Sequence, residues 1–247
     1  MTAFRRRVPH VHDGEPDAVI RSACGPNMLR NPTPGQTGGA SNWVGVNMGE
    51  DGSTRTLEGF DASADSLYQI ILTAELRAQY GTNGAPMVLS FFAKPETTYP
   101  SQGEMYFGIA DGQAGGNPGT GDYATGHQWT VDYTDFVSGD VWTRFWAWSD
   151  DSSPASAWPG AGASTDLRFL LVGGSTAFDQ IVQVTGFQVN NCATAWLPPF
   201  NTGPQETQIR KYGHGSGQGG SGSNTCKAPV WDSTVAITDA VKITVRT

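Results

Sequence analysis

Charge is scarce in this chain. Of its 247 residues only 15% are Asp, Glu, Lys or Arg, against about 25% in an average globular domain. The chain is not disordered, because disorder goes with many charges and few aromatics, and here 11% of residues are Phe, Trp or Tyr. Nor does it have the Ala/Glu/Lys/Leu bias of long helices. No apolar run approaches the roughly 18 residues of a membrane helix, so no membrane insertion is expected. Cysteine is scarce too: Cys24, Cys192 and Cys226 are too few for a disulfide scaffold and form no CxxC or zinc spacing. Cys24 precedes the first strand expected in the body and Cys192 follows the last. A bridge between neighbouring terminal strands and three free thiols both remain open. The arginines near the N-terminus are followed by no apolar stretch, so no secretory signal peptide is expected.

Basic residues are few and unevenly placed. Residues 1–30 hold five arginines (Arg5, Arg6, Arg7, Arg21, Arg30) against three acids (Asp13, Glu15, Asp17), a balance of +2. With a net charge of -8, the other 217 residues carry -10. An acidic body with ten basic residues has no face for phosphates, so nucleic acid is not an expected partner. A basic arm on an acidic globule is expected instead, with Arg5-Arg6-Arg7 able to dock on an acidic neighbour; a solvated, frayed terminus is the plainer reading of the same run.

Catalytic patterns are missing as well. There is no G-x-S-x-G, H-E-x-x-H or P-loop. No two of the acids, among them Asp132, Asp135, Asp150, Asp151 and Asp166, stand out as a hydrolytic pair. The chain is therefore not expected to be an enzyme, and no cofactor is implied. His10, His12 and Asp13 would share one side of an extended arm, but no further metal ligand accompanies them. The loop 111–122 is rich in Gly, Asn and Asp and has oxygens for calcium, yet it lacks EF-hand spacing and reads as a mobile loop.

What is abundant is glycine, at 32 positions or about 13% against a usual share of roughly 7%, together with eight tryptophans. Short β-prone runs separated by turn residues are expected at 43–46, 54–58, 87–94, 104–110, 128–136, 141–149, 167–172 and 181–189. The run 67–76 reads as strand by alternation of Tyr68, Ile70 and Leu72 and as helix by the propensity of its second half. The fold class expected is all-β, an antiparallel two-sheet jelly-roll sandwich. Residues 1–26 form an extended arm, 27–203 the jelly roll, 204–229 a Gly/Ser-rich linker and 230–247 a β-rich tail. The tail holds runs at 233–237 and 241–245. It is too small to bury its own core and is expected to pair with the body or with another subunit.

The run 141–149 carries the most chemistry. Alternation puts Trp142, Arg144, Trp146 and Trp148 on one face and Val141, Thr143, Phe145 and Ala147 on the other. Indoles pack on the flat C–H faces of sugars and arginine donates to hydroxyls, so an exposed row of this kind makes a glycan platform. The competing reading is that the tryptophans are core. In 128–136, Trp129, Val131 and Tyr133 share a face. Asp132 or Asp135 would add sugar acceptors if this strand lay beside the tryptophan strand; the plainer reading is simple sheet packing.

A series of motifs adds a family likeness. It starts with Asn27-Met28-Leu29-Arg30-Asn31 and Val88-Leu89-Ser90-Phe91-Phe92-Ala93-Lys94-Pro95. Trp142-Thr143-Arg144-Phe145 and Leu167-Arg168-Phe169-Leu170-Leu171-Val172 follow, and Val184-Thr185-Gly186-Phe187-Gln188-Val189 with Ala195-Trp196-Leu197-Pro198 closes it. In this order they resemble the carbohydrate-binding-module-like jelly rolls of bacteriophage tail fibres, spikes and capsid decorations, over residues 27 to about 200. One departure is Gln188-Val189-Asn190, where that family usually places a glutamate, so a cation site there does not carry over. The resemblance implies a virion location, other virion proteins as partners, a homotrimer, and contact with host surface polysaccharide. A freestanding carbohydrate-binding module of a secreted protein and a glycan depolymerase are the rival functions.

Overall fold

In the computed structural model, residues 24–35, 37, 42–51, 56–73, 86–112, 123–136, 141–149, 166–192, 197, 198, 200, 204, 208–212 and 228–232 are described. They form a sandwich of two antiparallel sheets. The strands are β1 Cys24–Asn27, β2 Val44–Val46, β3 Gly49–Asp51, β4 Thr56–Gly59, β5 Ser66–Leu72, β6 Met87–Pro95, β7 Glu104–Gly112, β8 Tyr123–Asp132, β9 Thr143–Trp148, β10 Asp166–Gly173, β11 Val182–Cys192, β12 Gln208–Tyr212 and β13 Ala228–Asp232. The larger sheet has the order β13-β12-β9-β6-β11-β4-β3, with β1 also on β11. The smaller has the order β2-β5-β10-β7-β8. Among the described residues the one parallel pair is β12 on β9, within the otherwise antiparallel larger sheet.

The two sheets close on an aromatic core. Phe91, Phe145 and Phe187 point in from the larger sheet, and Phe107, Trp129 and Phe169 from the smaller. Phe91 sits 5.1 Å from Phe107 and 5.6 Å from Phe145, ring centre to ring centre. Each such buried ring contributes about 1.5–3 kcal/mol by leaving water, so this layer holds the sheets together.

Several boundaries differ from the sequence expectation. The ambiguous run is a strand through Leu72, because its pairing with β10 buries Leu67 and Leu72; residues 74–80 lie outside the described part. The run 128–136 ends as a strand at Asp132, where the side chain caps a single 3-10 turn, Tyr133–Asp135. β1 begins at Cys24, inside the segment expected as arm. It is fixed there by a disulfide between Cys24 and Cys192, which resolves the cysteine alternatives for that pair. β12 and the start of β13 fall inside 204–229. Arg5, Arg6, Arg7, His10, His12, Asp13, most of loop 111–122, the Gly/Ser run and residues 233–247 lie outside the described residues.

β11 carries a bulge that decides what the site looks like. Its pairing with β6 slips between Thr185 and Gln188, and Gly186 takes φ 62°. A glycine in this left-handed region is the usual device for an extra residue in one strand. Val182 and Val184 face the core before the slip, and Phe187 and Val189 face it after. Gln188, Asn190 and Cys192 are thereby turned to the outer face.

Candidate functional site

The outer face of the larger sheet is built from alternate residues of β6, β9 and β11. Val88, Ser90 and Phe92 lie opposite Trp148, Trp146 and Arg144, and Gln188 lies opposite Ser90 on the other side. The expected alternation in β9 is present: Phe145 and Ala147 are in the central core, while Trp146 belongs to an outer cluster.

This face is partly roofed. Arg144 is 1% exposed and Trp146 3%. The Arg144 guanidinium donates to Ser90 Oγ at 3.1 Å, to the Pro198 carbonyl at 2.8 Å and to Gln188 Oε1. It also lies over the Phe92 ring at 5.3 Å, and Phe92 packs on Phe200 at 5.8 Å. A guanidinium held by neutral acceptors keeps its charge under cover only if its donors are matched; Ser90, Gln188 and the Pro198 carbonyl supply acceptors here. Trp146 packs with Val88 and Cys192, and half-buried Cys24, Trp148, Leu197 and Ile209 surround them. The four-residue row thus has a covered middle and open ends. At one end Trp142 is half-buried with Lys94 Nζ 5.4 Å from its ring. At the other Trp148 is half-buried and its indole N–H donates to the Cys192 carbonyl at 3.1 Å. At about 3.3 Å per residue these ends are roughly 20 Å apart.

The opening motif, Asn27 to Asn31, joins the same strand. Asn27 Nδ2 donates to the Phe187 carbonyl at 3.0 Å, and its Oδ1 accepts from the backbone N–H groups of Val189 and Leu29. The start and end of the motif series are therefore physically adjacent, tied again by the disulfide one turn of the pleat away.

Asp132 and Asp135 do not join the tryptophan face. β8 and β9 follow each other in sequence but lie in different sheets. Asp132 Oδ1 accepts from Thr134, and buried Asp135 accepts from the Tyr212 hydroxyl at 2.8 Å. Both are committed to structure. On the smaller sheet, burial and the neighbouring Glu104 carboxylate push the Tyr106 phenol up to about 12, so it stays a protonated donor and is no base at neutral pH. Among the described residues no three His, Cys, Asp or Glu side chains cluster as metal ligands.

No protein family matches this chain, and no curated protein matches it. Solved structures do. The CBM22-1 xylan-binding domain from Paenibacillus barcinonensis Xyn10C is similar over 69% of this chain and 97% of its own length, with 9% identity and a TM-score of 0.39. An arabinose-bound α-L-arabinofuranosidase is similar over 66% of this chain at 13% identity and a TM-score of 0.42, and an agarase over 68% at 12% and 0.41. This chain spans only 26% and 24% of those two enzymes' lengths.

Proposed function

We propose that this chain is a non-catalytic structural protein of a bacteriophage particle, in a fibre, spike or capsid-decoration position. It assembles with other virion proteins and as a homotrimer, through the Arg5-Arg6-Arg7 arm and the C-terminal tail. The observation that carries the reading is the end of the larger sheet: after the closing motif the chain returns as β12 and β13, and β13 is the last strand of the order. Strands added at a sheet edge are how extensions join a neighbour, through backbone hydrogen bonds rather than a new core. The motif order supports the virion part. So does the Cys24–Cys192 bond, a kind that persists in oxidising surroundings, virion surfaces among them.

Mass spectrometry of purified particles tests this reading. Peptides of this chain are expected at stoichiometric level, and their absence ends the reading. Light scattering on the isolated chain is expected to give three copies, and a clean monomer counts against assembly.

Contact with host surface glycans belongs to the same proposal. It uses the open ends of the tryptophan row, Trp142 and Trp148, with Arg144 and Trp146 as the rigid floor between them. Trp142→Ala with Trp148→Ala is expected to abolish binding on a glycan array while the fold survives. Binding that is unchanged in the double variant, or missing in the wild type, removes the glycan contact and leaves the structural role.

A further inference from the structure

The outer face of the smaller sheet has features that the proposed function does not use. Strand register and alternation place Val44 of β2, Tyr68 and Ile70 of β5 and Arg168 of β10 on it together. Val44 lies opposite Tyr68, and Arg168 lies opposite Ile70. Their chain neighbours Leu67, Ile71, Leu167 and Phe169 face the core instead.

Arg168 is the informative residue. It is 5% exposed, and its guanidinium lies 4.7 Å from the Tyr68 ring. Among the described residues no hydrogen bond or ion pair engages it. Asp166, two residues earlier on the same face, is not paired with it. An aromatic ring offsets only part of what a covered guanidinium loses with its water. Arg144, on the larger sheet, shows the contrast: it is as deeply covered and has three acceptors. A methionine at 168 would fill the same space with no charge to satisfy. Unmatched donors under cover call for an explanation, and an anion that meets them supplies one. Nε of Arg168 is closed to solvent, but the two terminal nitrogens are not, so these are the donors a ligand reaches.

The surroundings define that ligand. On the β7 side Ala110 lies opposite Arg168 and is fully buried, so the approach is from β5 and β2. There Ile70 and Val44 are 39% and 43% exposed, two of the three large apolar side chains most open to solvent among the described residues. Apolar side chains grouped in the open beside an unmatched charge mark a contact surface. The planar fork of a guanidinium matches a carboxylate. A carboxylate at Arg168 leaves the rest of its molecule over Tyr68, Ile70 and Val44, where C–H groups fit.

We propose that this face binds a small monocarboxylate with an aliphatic body. Arg168 pairs with the carboxylate through its terminal nitrogens, and Ile70 and Val44 pack on the body. The site lies on the opposite sheet from the tryptophan row and stands whether or not that row touches glycan.

Nuclear magnetic resonance titration of the full chain tests it, with hexanoate as the probe and hexanol and acetate as controls. Hexanoate is expected to shift the Arg168 side-chain N–H resonances and the amides of Tyr68 and Ile70 saturably. Arg168→Met is expected to weaken that binding at least about ten-fold, the size of one charge-assisted contact. It is also expected to leave the thermal midpoint unchanged or higher, because it removes a covered charge that the fold does not pair. Ile70→Glu, at an exposed position that leaves the fold intact, sets a carboxylate of the chain's own opposite Arg168 and is expected to abolish binding. No saturable shift with hexanoate overturns the proposal, and so does binding that survives either variant. A midpoint lowered by Arg168→Met shows the arginine to be satisfied within the fold and overturns it too. Equal binding of hexanol overturns the charge pairing, and equal binding of acetate overturns the aliphatic body.

Discussion

Asp65 holds the turn between β4 and β5 in a conformation its neighbour would not otherwise adopt. Phe60, fully buried, takes φ 69°, a left-handed value that is rare for a bulky residue. Asp65 Oδ2 accepts from the backbone N–H of Phe60 at 2.7 Å and of Ala62 at 3.1 Å. Asp65→Ala leaves these donors unpaired and is expected to cost about 1–3 kcal/mol, read as a lower urea midpoint. Burial raises the Asp65 carboxyl above the usual carboxylate range, and the two backbone N–H groups offset this only in part. The native state therefore binds the proton more tightly than the unfolded chain. The stability this adds is complete below the unfolded value and is lost as pH rises through the folded one. Asp65→Asn keeps one acceptor oxygen and carries no charge. Its urea midpoint is expected to vary less than wild type across that acidic window, and an identical pH profile in both proteins refutes the assignment. Nothing in the local sequence announces this role, because the partners of Asp65 are backbone groups and the strain sits on a phenylalanine.

The bulge in β11 makes the comparable argument for an element. A Cβ on Gly186 would come within 2.5 Å of Phe92 Cδ2 and 3.1 Å of Phe200 Cε1, and φ is 62°. Gly186→Ala is thus strained both by its backbone and by the rings, and is expected to destabilise by more than about 1 kcal/mol. The displaced Phe92 ring is the one under Arg144, so a shift of the Arg144 guanidinium resonances is the accompanying signal; an unaltered midpoint and spectrum would disprove it. The strand itself was legible from its β-branched residues, and so was the two-face pattern of β9. What the pattern could not show is the slip. A strict period of two carried on from Val182 and Val184 turns Gln188 and Asn190 into the core, whereas the extra residue turns Phe187 and Val189 there instead. Nor could alternation show that Arg144 and Trp146 are covered. Their cover comes from Pro198, Leu197 and the disulfide, all more than forty positions away in the chain. The reading of Asp132 and Asp135 as sugar acceptors fails for the same reason: succession in sequence does not fix which sheet a strand joins.

At the scale of the molecule, the outlying strands β1 and β12 are fastened to the body of the sandwich. The Cys24–Cys192 bond closes a loop with a sequence separation of 168, and Cys24→Ala with Cys192→Ala is expected to lose about 2–4 kcal/mol, measured by urea unfolding against the oxidised wild type. The C-terminal segment contributes more than a tether. Tyr212 of β12 is 1% exposed, lies 5.5 Å from Phe107 and 6.0 Å from Phe145, and donates to Asp135. It is therefore part of the core, although glycine and serine dominate the residues that follow it. Two truncations separate the roles of the segment. A chain ending at 203 loses Tyr212 and uncovers β9 along the edge that β12 pairs. It is expected to lose at least the roughly 3–5 kcal/mol of deleting a buried aromatic and to aggregate through the opened strand. A chain ending at 227 keeps β12 and loses the edge strand β13 with the residues after it. If assembly runs through β13 as proposed, its mass by light scattering is expected to fall to one copy while the thermal midpoint stays close to that of the full chain. If the shorter truncation is as stable as the full chain, β12 is not part of the folding unit. If the longer one still forms trimers, assembly runs through another surface and the tail is not its route.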